Sequence, residues 1–122
     1  MWGETKGGMS NIPDITDSEL WVVEATLKER YGHAVEVQLA DVELRLDFGA
    51  PDLTVCPAMV WKERGAGFVI SKVGDHRFRC QFFYSVREQY GTGKTEYDDL
   101  LECVVALLKL QADHEAKRQK NQ

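Results

Sequence analysis

Long apolar runs, basic charge and patterned cysteines are all scarce in this sequence, and each shortage removes a class of function. No apolar run approaches the roughly 20 residues that a membrane-spanning helix needs. Lys and Arg number 15 against 20 Asp and Glu, a formal net charge of −5. That balance disfavours nonspecific binding to DNA, RNA or anionic membrane, because neutralising phosphate takes a cationic surface. Three cysteines, Cys56, Cys80 and Cys103, are an odd set at wide spacing among apolar neighbours. They read as buried free thiols in a reducing compartment. His33, His76 and His114 show no metal-ligand spacing with each other or with cysteine, so neither a metal nor another cofactor is expected. The first residues, Met1 to Gly8, lack the basic-then-apolar form of a secretory leader, and a cytoplasmic location is the expectation.

What remains is an ordinary globular composition: 122 residues, 43% apolar and 29% charged. That length buries a core without metals or disulfides, as one domain. We expect residues 15–112 to form it. A Gly-rich flexible lead should precede it over 1–14, and a polar frayed tail should follow over 113–122.

The stretch from Thr95 to Ala112 organises the rest. Thr95 can cap a helix, and Asp98 places negative charge against its positive end. Tyr97, Leu100, Leu101, Val104, Leu107 and Leu108 then recur at helical spacing, while Cys103, Val105 and Leu110 widen the apolar arc. An arc that wide needs cover on more than one side. Either the upstream chain supplies all of it, or a second copy does, through Leu101, Val104, Val105 and Leu108. We expect a homodimer.

Upstream, Thr16 followed by Glu19 is a capping-box pattern, and Ile15 with Leu20 completes a hydrophobic staple. A helix over 16–31 follows, with Gly32 as its left-handed stop. The period then changes to two. Val35, Val37 and Leu39 alternate with polar residues, and Val42, Leu44, Leu46 and Phe48 alternate in the opposite parity. A two-residue hairpin loop at Ala40-Asp41 would put both sets on one face; a single long strand with a bulge is the competing reading.

Further strands are expected over 58–64, 68–73 and 76–85. Gly65-Ala66-Gly67 and Gly74-Asp75 serve as turns, and 87–94 is a polar loop. With Gly74-Asp75 as the loop, Val73 would face His76, making Val69, Ser71, Val73, Phe78, Cys80 and Phe82 the buried face. The pattern describes an α+β two-layer domain: helix, four or five antiparallel strands in a meander, helix, with both helices on one face.

The chemistry is sparse. Gly91, Gly93, Lys94 and Thr95 resemble the end of a phosphate-binding loop, but the position that needs the first glycine is Glu88. A weaker anion or nucleotide site at the start of the helix would use the same four residues. Lys72, Arg77 and Arg79 with Phe68, Ile70 and Phe83 could stack and neutralise a single-stranded nucleic acid. A cross-strand charge ladder with Glu36, Glu43 and Asp47 explains the same residues. Trp61 and Met59 fit either a small pocket or the core. No thiolate–base pair and no Ser/His/Asp set is assembled by local structure. The expectation is a small acidic, non-catalytic interaction or regulatory module; a small-molecule or anion-binding module is the alternative.

Overall fold

The computed structural model describes residues 12–47, 49 and 51–120, the last of these as backbone only. Helix α1, Asp17–Tyr31, begins as its local signals require: Thr16 Oγ1 accepts from Glu19 N–H, and the Glu19 carboxylate accepts from Thr16 N–H. Ile15 and Leu20 pack beside that start against the core. Gly32, at φ 79°, ends the helix in the left-handed region.

Five antiparallel strands follow in meander order: β1 Gln38–Leu44, β2 Thr54–Glu63, β3 Ala66–Gly74, β4 Arg77–Ser85 and β5 Glu88–Gly91. Helix α2, Leu100–Lys120, closes the chain. Val23 and Leu27 of α1 and Leu100, Cys103, Val104 and Leu107 of α2 share one core with Met59, Trp61, Phe68, Ile70, Phe78 and Phe82 of the sheet. Both helices therefore lie on one face, in a two-layer α+β domain. Trp61 and Met59 are core, with the Trp61 ring stacked on Phe68 at 5.2 Å between centroids.

The strands differ from the sequence expectation in where they begin and which way they face. Ala40-Asp41 is not a loop. β1 runs through it without a register shift, from Gln38 opposite Val60 to Leu44 opposite Thr54. The change of parity is instead a change of face: Val35 and Val37 pack under the helices, while Val42 and Leu44 line the opposite side. A strand whose two faces are both partly covered has no reason to keep one parity. The fifth strand comes instead from 88–91, expected as loop, which pairs Tyr90 with Phe82.

The β2–β3 turn is Arg64-Gly65, both at positive φ, the conformation a two-residue loop needs; Ala66 and Gly67 already belong to β3. Between β3 and β4 the loop is Asp75-His76, with His76 at φ 56°. Gly74 pairs with Arg77, and an irregularity between Lys72 and Gly74 absorbs one residue. Lys72 therefore faces Phe78, Ile70 faces Cys80, and Phe68 faces Phe82. One residue of slip exchanges the faces of β3. Phe68, Ile70 and Lys72 go to the helices, and Val69, Ser71 and Val73 go to the open face, the reverse of the expected assignment. Lys72 thus leaves the basic sheet face altogether.

The last helix starts later and runs further than its pattern suggests. Tyr97 is held in an antiparallel bridge to Phe78, with both backbone hydrogen bonds at 2.8 Å, so the chain must stay extended up to that point. Asp99 rather than Thr95 caps α2, its Oδ1 accepting from Glu102 N–H at 3.1 Å. The segment expected to fray from 113 is helical to Lys120. Its anchors are a buried Gln111 donating to Tyr84 Oη, His114 against Tyr90 at 4.2 Å, and the Arg118 guanidinium 4.0 Å above the Tyr84 ring. Residues 1–11 of the expected lead lie outside the described residues.

Candidate functional site

The loop 91–95 does not open onto a helix N-terminus. Gly91 ends β5 opposite Gln81, and Gly93 takes φ 89°. Lys94 reaches Glu102 at 3.3 Å and lies 4.8 Å over the Tyr97 ring. Thr95 turns to the open face of the sheet. Four residues separate Thr95 from Leu100, the first residue of α2, so Thr95 does not cap the helix, although Lys94 reaches Glu102 in its first turn. The Tyr97–Phe78 bridge takes up the chain between these four residues, expected to form an anion cradle, and the start of α2.

The four expected interface residues also divide. Val104 and Leu108 are buried in the core, whereas Leu101 and Val105 are 52% and 50% exposed on the outer side of α2. Beside Val105 a groove of about 510 Å³ runs between the helices. Thr26, Glu29 and Arg30 line it from α1, and Leu108, Lys109, Ala112 and Asp113 from α2. Its floor is apolar, and its rim carries two charges of each sign.

On the other side of the sheet, Arg77 and Arg79 are drawn onto one carboxylate. Glu96 takes a two-pronged contact from Arg77, at 2.8 and 3.0 Å, and bonds from Arg79 Nε and Nη2 at 3.3 and 3.0 Å. Arg79 Nη2 also donates to Leu46 O at 3.4 Å, tying the segment after β1 across the open face. Burial by itself would raise the Glu96 pKa. The hydrogen bonds and charges of the two arginines outweigh it and hold the carboxyl below its usual range.

A depressed carboxyl pKa stabilises the fold above the unfolded-state value, and that contribution disappears as pH falls through the folded one. Glu96→Gln is therefore expected to cost about 1–2 kcal/mol at pH 7. It should also flatten the loss of stability between about pH 5 and 3. Urea denaturation across that range checks it, and parallel wild-type and variant curves would refute the assignment.

Val42, Leu44 and Val69 with Ser71, Arg79 and Gln81 line a half-open pocket of about 440 Å³ on this open face. Sequence reasoning missed it because the β3 register assigned Ser71 to the core. Cys80 of β4 and Cys103 of α2, 23 residues apart in sequence, are close enough to perturb each other's ionisation, with Thr92 also acting on Cys80. The contact holds the Cys80 pKa below the usual thiol value and, together with burial, drives that of Cys103 above it. None of these partners is the imidazole or carboxylate base that nucleophilic cysteine catalysis uses.

No family model, curated protein or solved structure matches this chain. Among the described residues no group of three His, Cys, Asp or Glu side chains could hold a metal ion. No described helix is long and apolar enough to cross a membrane.

Proposed function

We propose that this protein is a non-catalytic interaction module whose working surface is the outer side of its two helices, and whose partner there is a second copy of itself. The observation that carries the proposal is the exposure of Leu101 and Val105 beside the groove between the helices. Core residues around them are satisfied within the chain. About half of each side chain stays open unless something is laid on it, and paired exposed aliphatics beside a groove mark an interaction surface. The rim charges are balanced. Glu29 and Arg30 stand on α1, Lys109 and Asp113 on α2, so the rim has no net charge to repel a second copy. Three free thiols suit a reducing compartment, which supports a cytoplasmic setting.

Native mass spectrometry and sedimentation at high micromolar concentration test this. The wild-type chain should run as a dimer, and Leu101→Glu with Val105→Glu should run as a monomer with an unchanged far-ultraviolet spectrum. Both positions are already half-exposed, so the substitutions leave the core intact. A monomeric wild type overturns self-association; a dimer indifferent to the double substitution moves the interface elsewhere.

A further inference from the structure

Strand β1 is an edge of the sheet. The strands run β1-β2-β3-β4-β5, so no described strand pairs with the outer side of Gln38–Leu44. Seven residues give about 23 Å of ladder, and the outward N–H and C=O groups along it form a template for one more strand. The opposite edge, β5, offers only four residues.

The side chains of β1 fall into two rows. Ala40, Val42 and Leu44 turn to the open face, where Val42 and Leu44 wall the half-open pocket. Leu39, Asp41 and Glu43 turn to the helix side, but the helices do not cover them: all three are exposed, Leu39 by 58%. Neither carboxylate is ion-paired to a described residue, and Asp14 adds another acid across a small cleft from Leu39 and Asp41. Arg45, the nearest base in sequence, follows the end of the strand.

Charge on an edge repels copies of the same edge, and this one follows the rule. Two-fold pairing about Asp41, the centre of the strand, sets that acid against its own copy. The same charges favour a strand that is basic. We infer that the outer edge of β1 binds an extended segment of another protein, one that alternates basic and apolar residues, as a sixth strand. Its basic side chains lie against Asp41 and Glu43, and its apolar ones extend the row of Ala40, Val42 and Leu44. This edge is separate from the helical surface and does not rest on self-association.

Three end-blocked heptapeptides test this, titrated into the full-length protein and followed by amide NMR shifts and hydrogen exchange. One alternates valine and lysine, one alternates valine and glutamate, and one has the first composition with its lysines grouped. The alternating valine–lysine peptide is expected to give saturable shifts centred on Gln38–Leu44. It should also slow the exchange of every second amide in β1, the mark of a newly paired strand. The glutamate peptide and the grouped peptide should each bind at least several-fold more weakly. Asp41→Lys with Glu43→Lys, at two exposed positions, should reverse the preference in favour of the glutamate peptide. Equal binding of the grouped peptide would reflect charge alone and overturn the site. Absence of saturable shifts in β1, or an unchanged preference after the charge reversal, would overturn it too. The Leu101→Glu and Val105→Glu variant should bind the valine–lysine peptide as the wild type does; a loss there would move the contact to the helices and refute the edge.

Discussion

Glu19→Ala is expected to destabilise the fold by about 3–5 kcal/mol, a large share of the total for a domain of this size. Lys72 is 2% exposed, and its ammonium lies 2.9 Å from Glu19 Oε1 and 2.8 Å from the Asp14 carbonyl. The same Glu19 oxygen accepts the Thr16 amide at 2.8 Å. One carboxylate thus caps α1 and neutralises a cation buried between that helix and β3. Removing it frays the cap and leaves an ammonium in an apolar layer with only a carbonyl for company. The pair itself is worth far less than its disruption, because burying both ions costs nearly what their attraction returns. Lys72→Met combined with Glu19→Gln should therefore recover stability to within about 1 kcal/mol of wild type, since Gln keeps the capping acceptor. Urea unfolding of the three proteins measures this. A loss of less than about 1 kcal/mol for Glu19→Ala would mean that water reaches the Lys72 ammonium.

Phe82→Ala should cost a similar amount, about 3–5 kcal/mol, by opening a cavity at the centre of an aromatic cluster. The Phe82 ring is fully buried, with centroids 6.2 Å from Phe68, 5.3 Å from Tyr90 and 5.6 Å from His114. It joins the main core to the second half of α2. The expected signature is therefore local as well as global: amides from Gln111 to Lys120 should exchange with solvent faster than those from Leu100 to Leu110. Uniform loss of protection along α2 would contradict a separate anchoring of its end. Tyr90 is held in place by β5, so this test also probes the strand that the sequence reads as loop.

Those two sites show how far the residues speak for themselves. Helix α1 was legible because its signals are local: Thr16, Glu19 and Gly32 act on backbone groups within one turn of themselves. The meander and the two-layer class were legible because the strand segments alternate in sequence and connect through short turns. Strand facing was not. A single absorbed residue at Val73 decides whether Ser71 or Lys72 faces the helices, and no local preference near Gly74 forces that choice. The end of α2 was not legible either, since Gln111, His114 and Arg118 look like solvent-facing residues until Tyr84 and Tyr90 are placed beside them. Of the candidate site residues, Leu101 and Val105 could be placed on an apolar arc, but nothing in the periodicity separates them from the buried Val104 and Leu108.

By itself, then, the sequence determined the elements that depend on neighbours a few residues away: the capped first helix, the antiparallel order and the long apolar last helix. Tertiary structure alone decided which face each strand turns inward, where α2 starts and stops, and which thiols and charges meet. The physical reason is one of range. Caps and turns are energies of adjacent backbone groups, whereas register and docking are set by packing between segments whose contacts appear only once the sheet has closed against the helices.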